Sequence, residues 1–146
     1  MLMTAAEYRE SLRRYQPRVF INGRQVDSVV DEPLLAPGIA AVGVTHDFAC
    51  NPRHAALLTA TQGTTGKQVN RMLHINESAT DLLHKLEAVR LVCAESGCAQ
   101  RYLSQDGLNA LFQSTQLTDA NHGTDYHPRF LDYLHDVQAR DLTLGV

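Results

Sequence analysis

Apolar positions recur along this chain mostly at a helical spacing, and the breaks between the recurrences are marked by Pro, Gly and Asn. Thr4-Ala5-Ala6-Glu7 reads as a capping box, because the Thr4 hydroxyl can accept from the Glu7 amide while Glu7 reaches back. A helix to about Tyr15 follows, with Ala5, Tyr8, Leu12 and Tyr15 on its inner face, and Pro17 stops it. Residues 18–21 and 24–26 flank Asn22-Gly23, a pair suited to a two-residue turn, so a short β-hairpin is predicted near residues 18–27. Pro33 and Pro37 predict an irregular connection from Asp31 to Gly38. The small residues of Ile39 to Cys50 suit helix packing or a buried extended segment, and helix is favoured. Asn51-Pro52 ends that segment, a short helix spans residues 53–60, Thr61 to Gly66 is a loop, and Lys67 to Ile75 fits strand or loop.

Ser78 is an N-cap, and Leu82, Leu86, Val89 and Cys93 recur behind it at helical spacing. Around residues 88–94 this helix is apolar on most of its circumference, which predicts a central position. Gly97 breaks it. Leu108, Leu111, Phe112 and Thr115 then share a face that projects back to Ser104 and Arg101, which puts a charged residue at the start of a buried stripe. Thr124 or Asp125 caps a last helix with Pro128 in its first turn and Phe130, Leu131, Leu134 and Val137 inside. Residues 142–146 resemble the start of a strand.

The expectation is therefore a mainly α domain covering residues 1–146. A chain of 146 residues buries roughly 68–70% of its unfolded surface and needs no disulfide. Its 13 Lys and Arg are dispersed and outnumbered by 16 acids, which argues against nucleic acid. No apolar run is long enough to cross a membrane, and no apolar signal core opens the chain. With three cysteines that cannot all pair, the expectation is a cytoplasmic protein with reduced thiols.

Several groups could carry chemistry. Cys93 and Cys98 point about 140° apart on a helix, so they share a metal only if Gly97 breaks it, and buried unreactive thiols are the favoured reading. His46, Cys50 and His54 align at four-residue spacing, but Pro52 interferes and packing is favoured over a metal site. Asp125, Tyr126 and His127 are read as a cap. His74, His84, His122 and His135 are read as exposed or loop residues. Arg101 beside Tyr102 pairs a forked cation with a phenol, fit to hold an anion and donate a proton; the alternative is a structural Arg paired with a nearby acid. On residue chemistry alone that alternative is favoured.

Met1-Leu2-Met3-Thr4-Ala5, Ser11-Leu12-Arg13, Arg18-Val19, Cys98-x-Gln100-Arg101, Asp106-Gly107-Leu108-Asn109-Ala110 and Gly123-Thr124-Asp125-Tyr126-His127 resemble the N-terminal region of the 4-hydroxyphenylacetate 3-hydroxylase family, most closely its 4-hydroxybutyryl-CoA dehydratase (vinylacetyl-CoA isomerase) branch. The resemblance implies the N-terminal helical domain of an acyl-CoA dehydrogenase-like fold. It also implies FAD, bound mainly by domains absent from this chain, an aromatic or CoA-thioester substrate, and a homo-oligomeric full-length protein. In the dehydratase branch this helix carries cluster cysteines spaced Cys-x3-Cys. Here Cys98 stands at the first position and Tyr102 at the second, so an iron–sulfur cluster is not expected. The resemblance makes Arg101 and Tyr102 the candidate catalytic pair of a flavin-dependent monooxygenase, with Arg101 orienting a substrate anion and Tyr102 lining the cavity. The alternatives are a dehydratase or isomerase in which Cys98 is a surviving ligand, and a truncated, non-catalytic chain acting as an interaction module. Family members being several times longer, the expectation is a fragment or a truncated gene product, which leaves its status as an enzyme open.

Overall fold

The computed structural model describes residues 1–98 and 101–145 and is mainly helical. In chain order the elements are α1 (Ala5–Arg13), β1 (Phe20–Ile21), β2 (Arg24–Gln25), α2 (Ala36–Cys50), α3 (Ala55–Leu58), β3 (Thr59–Gln62), β4 (Lys67–Asn70), a 3-10 turn (Arg71–Leu73), α4 (Ala79–Ser96), α5 (Tyr102–His122) and α6 (Tyr126–Ala139). The capping box forms as expected, with the Thr4 amide 2.7 Å from Glu7 Oε2 and the Glu7 amide 3.2 Å from Thr4 Oγ1. Asn22 (φ 50°) and Gly23 (φ 78°) make the turn between β1 and β2, which pair Phe20 with Gln25 and Ile21 with Arg24. Both turn residues take positive φ, which matches the right-handed twist of the strands they join.

Three apolar clusters hold the elements together. Leu73, Ile75 and Leu108 meet Phe130, Leu134 and Val137, joining α5 to α6. Ala49, Leu58, Met72, Ala88 and Val92 join α2, α3 and α4. Tyr8, Ile39 and Val42 join α1 to α2, where a Cβ on Gly43 would lie 3.0 Å from that of Ala5.

The structure corrects several expectations. α2 starts at Ala36, with Pro37 in its first turn, where a missing amide proton costs nothing. Residues 59–62 and 67–70 form a second antiparallel hairpin, from Thr59 opposite Asn70 to Gln62 opposite Lys67; its first strand replaces the helix end and loop expected there, and its second takes the strand alternative expected from Lys67. Its strands lack an alternating apolar pattern because it is held partly by polar groups: Gln138 Nε2, on α6, donates to Gln62 Oε1 at 2.9 Å, and the Arg71 guanidinium donates to the Leu57 and Thr59 carbonyls. α4 buries a face turned by roughly 90–100° from the one expected. Leu82 and Leu86 are 49% and 48% exposed, whereas Lys85, Ala88 and Val92 are buried. A helix with apolar residues almost all round offers two stripes, and the one containing the small Ala88 allows close approach to Ala49 of α2. Leu111 of α5 is likewise 47% exposed. The tail after α6 makes no strand through Gly145; Leu142 and Leu144 pack against the α5–α6 cluster.

Candidate functional site

α4 ends at Gly97, whose left-handed φ of 76° and amide bond to the Cys93 carbonyl turn the chain toward α5. Arg101, at the start of α5, is 1% exposed. Its Nη2 donates to Asp141 Oδ1 at 2.9 Å and to the Leu142 carbonyl at 3.0 Å, and its Nη1 donates to Thr45 Oγ1 at 3.3 Å. Among the described residues its Nε has no partner. The other Asp141 oxygen lies 3.0 Å from His46 Nδ1 and accepts the Met3 amide at 3.1 Å. His46 stacks on Tyr8 with ring centroids 4.8 Å apart. One carboxylate thus ties the N-terminal segment, α2, α5 and the tail together. Asp141 adopts φ 47° to do so, a conformation Asp tolerates better than most residues.

The electrostatics follow from burial. Desolvation lowers the His46 pKa, and the Asp141 hydrogen bond opposes this without cancelling it. Burial thus favours the neutral ring, in which an Nδ1–H tautomer would donate to Asp141. Burial disfavours the Asp141 carboxylate, yet the hydrogen bond from His46 and the Arg101 charge outweigh it and hold the pKa below the usual carboxylate range.

Tyr102 is the next residue along and faces elsewhere, because successive helical residues diverge by about 100°. The Asp106 carboxylate, one turn on, raises the Tyr102 pKa. Lys85 reaches across from α4, bonds Asp106 Oδ1, and places Nζ 5.1 Å from the Tyr102 ring centroid. The Lys85 side chain is 6% exposed and that of Asp106 44%. Along the inner stripe, Gln105 Nε2 and Asn109 Nδ2 donate to the His74 carbonyl at 3.3 and 3.2 Å. Among the described residues, buried Gln105 Oε1 and His74 Nδ1 have no partner. His74, expected as an exposed or loop residue, lies in the loop after the 3-10 turn but is only 1% exposed, and desolvation lowers its pKa against the pull of Asp81.

The remaining candidates are not assembled. His46 belongs to the Asp141 cluster, Cys50 Sγ lies 3.4 Å from the Met3 carbonyl, and His54 packs on Phe48 with centroids 4.4 Å apart. Among the described residues no three His, Cys, Asp or Glu side chains are placed to hold a metal. Cys50 is exposed, Cys93 and Cys98 are half-buried rather than buried, and none forms a disulfide. Asp125 makes no side-chain cap; Asp119 of α5 accepts the Tyr126 and His127 amides at 2.9 and 2.7 Å instead. Sequence reasoning missed Asp141, Lys85 and Asp106. Only Asp106, four residues from Tyr102 on one helix, left a local signal.

The model of the family described as 4-hydroxyphenylacetate 3-hydroxylase N terminal matches residues 4–146. The chain belongs to this family. The 4-hydroxybutyryl-CoA dehydratase/vinylacetyl-CoA-Δ-isomerase of Clostridium aminobutyricum is 38% identical over 97% of this chain and 29% of its own length. The oxygen-tolerant archaeal 4-hydroxybutyryl-CoA dehydratase from N. maritimus superposes with a TM-score of 0.94 at 40% identity, over 99% of this chain and 29% of that one. The oxygenase component of 4-hydroxyphenylacetate 3-monooxygenase, solved in complex with FAD, shares the fold at a TM-score of 0.76 and 21% identity, over 96% of this chain and 29% of that one. The chain thus spans under a third of the length of these relatives. Its mainly helical architecture is that of the N-terminal helical domain of the acyl-CoA dehydrogenase-like family. Among the described residues, no helix is long and apolar enough to cross a membrane.

Proposed function

We propose that this chain is the N-terminal domain of a flavin-dependent monooxygenase acting on an aromatic or related hydroxylated compound such as 4-hydroxyphenylacetate. The carrying observation is the donor set at the start of α5. Cys98 is followed four residues later by Tyr102, whose ring is overlain by the Lys85 cation that pairs with Asp106. A phenol so engaged does not replace the second thiolate of a Cys-x3-Cys cluster site, so the residues present do not fit an iron–sulfur cluster on this helix.

The bound flavin supplies the reaction with oxygen. The part assigned to this chain is binding and orientation. Arg101 directs the substrate anion: its guanidinium is fixed by Asp141, and among the described residues its Nε and, one turn further on, Gln105 Oε1 have no partner. Tyr102 lines the cavity on the adjoining face of the helix. In this reading the whole enzyme is a cytoplasmic homo-oligomer, and the flavin is held mainly by regions corresponding to the rest of the relatives' length.

A second reading, a dehydratase or isomerase acting on a CoA thioester such as 4-hydroxybutyryl-CoA with Cys98 as one ligand, is favoured by the 38–40% identity to that branch. Iron, acid-labile sulfide and flavin content of the protein carrying this domain, purified without oxygen, separates the two. Flavin without iron, together with oxygen-dependent hydroxylation of 4-hydroxyphenylacetate, supports the monooxygenase; stoichiometric iron and sulfide sinks it in favour of the dehydratase. A protein with neither cofactor nor turnover points to an interaction module.

A further inference from the structure

His46 lies beneath the tail that follows α6. Its ring is fully buried, with Tyr8 of α1 stacked on it, and the tail places Asp141 Oδ2 3.0 Å from Nδ1 and Thr143 Oγ1 3.5 Å from Nε2. Arg101 Nη1 is 3.5 Å from both ring nitrogens. A neutral imidazole carries one N–H and one lone pair. With the N–H toward Asp141, the lone pair at Nε2 faces two donors, the Arg101 guanidinium and the Thr143 hydroxyl. A proton added at Nε2 turns an N–H toward that guanidinium and leaves two buried cations to share the Asp141 carboxylate. The other groups facing the ring do not relieve this: Asp47 Oδ1, one residue along α2, accepts the Ala5 amide at 2.7 Å, and burial keeps the Tyr8 phenol neutral.

Packing decides which element yields. α2 and α5 are anchored in apolar clusters by Ala49 and Leu108. The tail has no regular structure through Gly145; Arg101 donates to Asp141 and the Leu142 carbonyl, and Ser104 Oγ donates to the Leu144 carbonyl at 2.9 Å. The Met3 amide ties the N-terminal segment to the same carboxylate. We propose that His46 is a proton-operated latch: as a neutral ring it lets Asp141 hold Arg101, which pins the tail and the N-terminal segment to α5, and as an imidazolium it releases both and admits water to the ring. The latch is independent of the reaction that the domain serves. Burial lowers the His46 pKa, so it is closed at neutral pH and opens as the pH falls below the ordinary 6.5.

Hydrogen-exchange mass spectrometry of the protein carrying this domain, at pH 7.5 and 5.5 and normalised to the exchange of unstructured peptides, reads the opening. A ring that regains the ordinary value of 6.5 when the tail opens favours the open form by about tenfold at pH 5.5, and peptides containing Met3 or Leu142 should lose protection by that factor. Because the opening is local, 1 M urea should leave their exchange at pH 5.5 nearly unchanged while accelerating that of α4. His46→Gln, which takes up no second proton, should remove the pH response. His74→Gln, which removes the other buried histidine, should leave it intact. In the unaltered protein, equal protection at the two pH values overturns the proposal, as does tail exchange that responds to urea as steeply as that of α4. A response that survives in His46→Gln or disappears in His74→Gln overturns it as well.

Discussion

Arg101 and Tyr102 are neighbours in the chain but occupy opposite kinds of environment. The Arg101 guanidinium is closed in by Asp141, Thr45 and the Leu142 carbonyl, and His46 shares the same carboxylate. Tyr102 is half-buried on the adjoining face of the same helix, with the Lys85 ammonium over its ring. A buried charge set of the first kind specifies which segments meet, because any member left alone would be uncompensated in the interior. A set of the second kind tolerates the loss of a member, because water can take its place. The difference predicts larger stability effects in the first region than in the second.

Asp141→Ala should produce the largest change. It strands Arg101 in the interior and frees the tail and the N-terminal segment together, at a cost of about 3–5 kcal/mol, measurable as a fall in the urea midpoint. A loss below about 1 kcal/mol would show that the cluster relaxes, and the contrast with Tyr102 would collapse.

The pH dependence comes next. Burial lowers the pKa of both His46 and His74 below 6.5, so the unfolded chain takes up protons first. The stabilisation is therefore fully present above about pH 6.5 and is lost as the pH falls through the lowered values. Asp141, held below 3.8, adds a further loss only in more acid solution. Urea melts between pH 7.5 and 5 should show stability falling toward acid, and His46→Gln should flatten the His46 share. A flat profile in the unaltered protein would mean that His46 is protonated in the fold.

Lys85→Met should change stability least, by about 1 kcal/mol or less, because the stem's packing is retained and Asp106 reaches solvent. A thermal melt displaced as far as that of Asp141→Ala would place Lys85 in the structural class.

Much of the helical framework was legible in the residues. The capping box at Thr4, the Asn22-Gly23 turn, the Ser78 cap and the stripe from Arg101 to Leu108 rest on interactions within a few residues, and each stands in the fold. The second hairpin was not legible, because its stabilising bonds come from Arg71 and Gln138, far from a periodic pattern. The face of α4 was misread for a related reason. Both stripes are helical and apolar, and the choice between Leu82 and Ala88 depends on the surface presented by α2.

By itself the sequence determined the helical segments, their caps and the family, since these depend on local spacing and on residue order. It also placed Arg101 at the head of a buried stripe. Only the tertiary structure decided that Asp141, forty residues away, would neutralise that arginine, and that Lys85 would cross from α4 to Asp106 and Tyr102. Charges separated by that much chain meet only when packing brings their elements together, and burial then sets how strongly they interact.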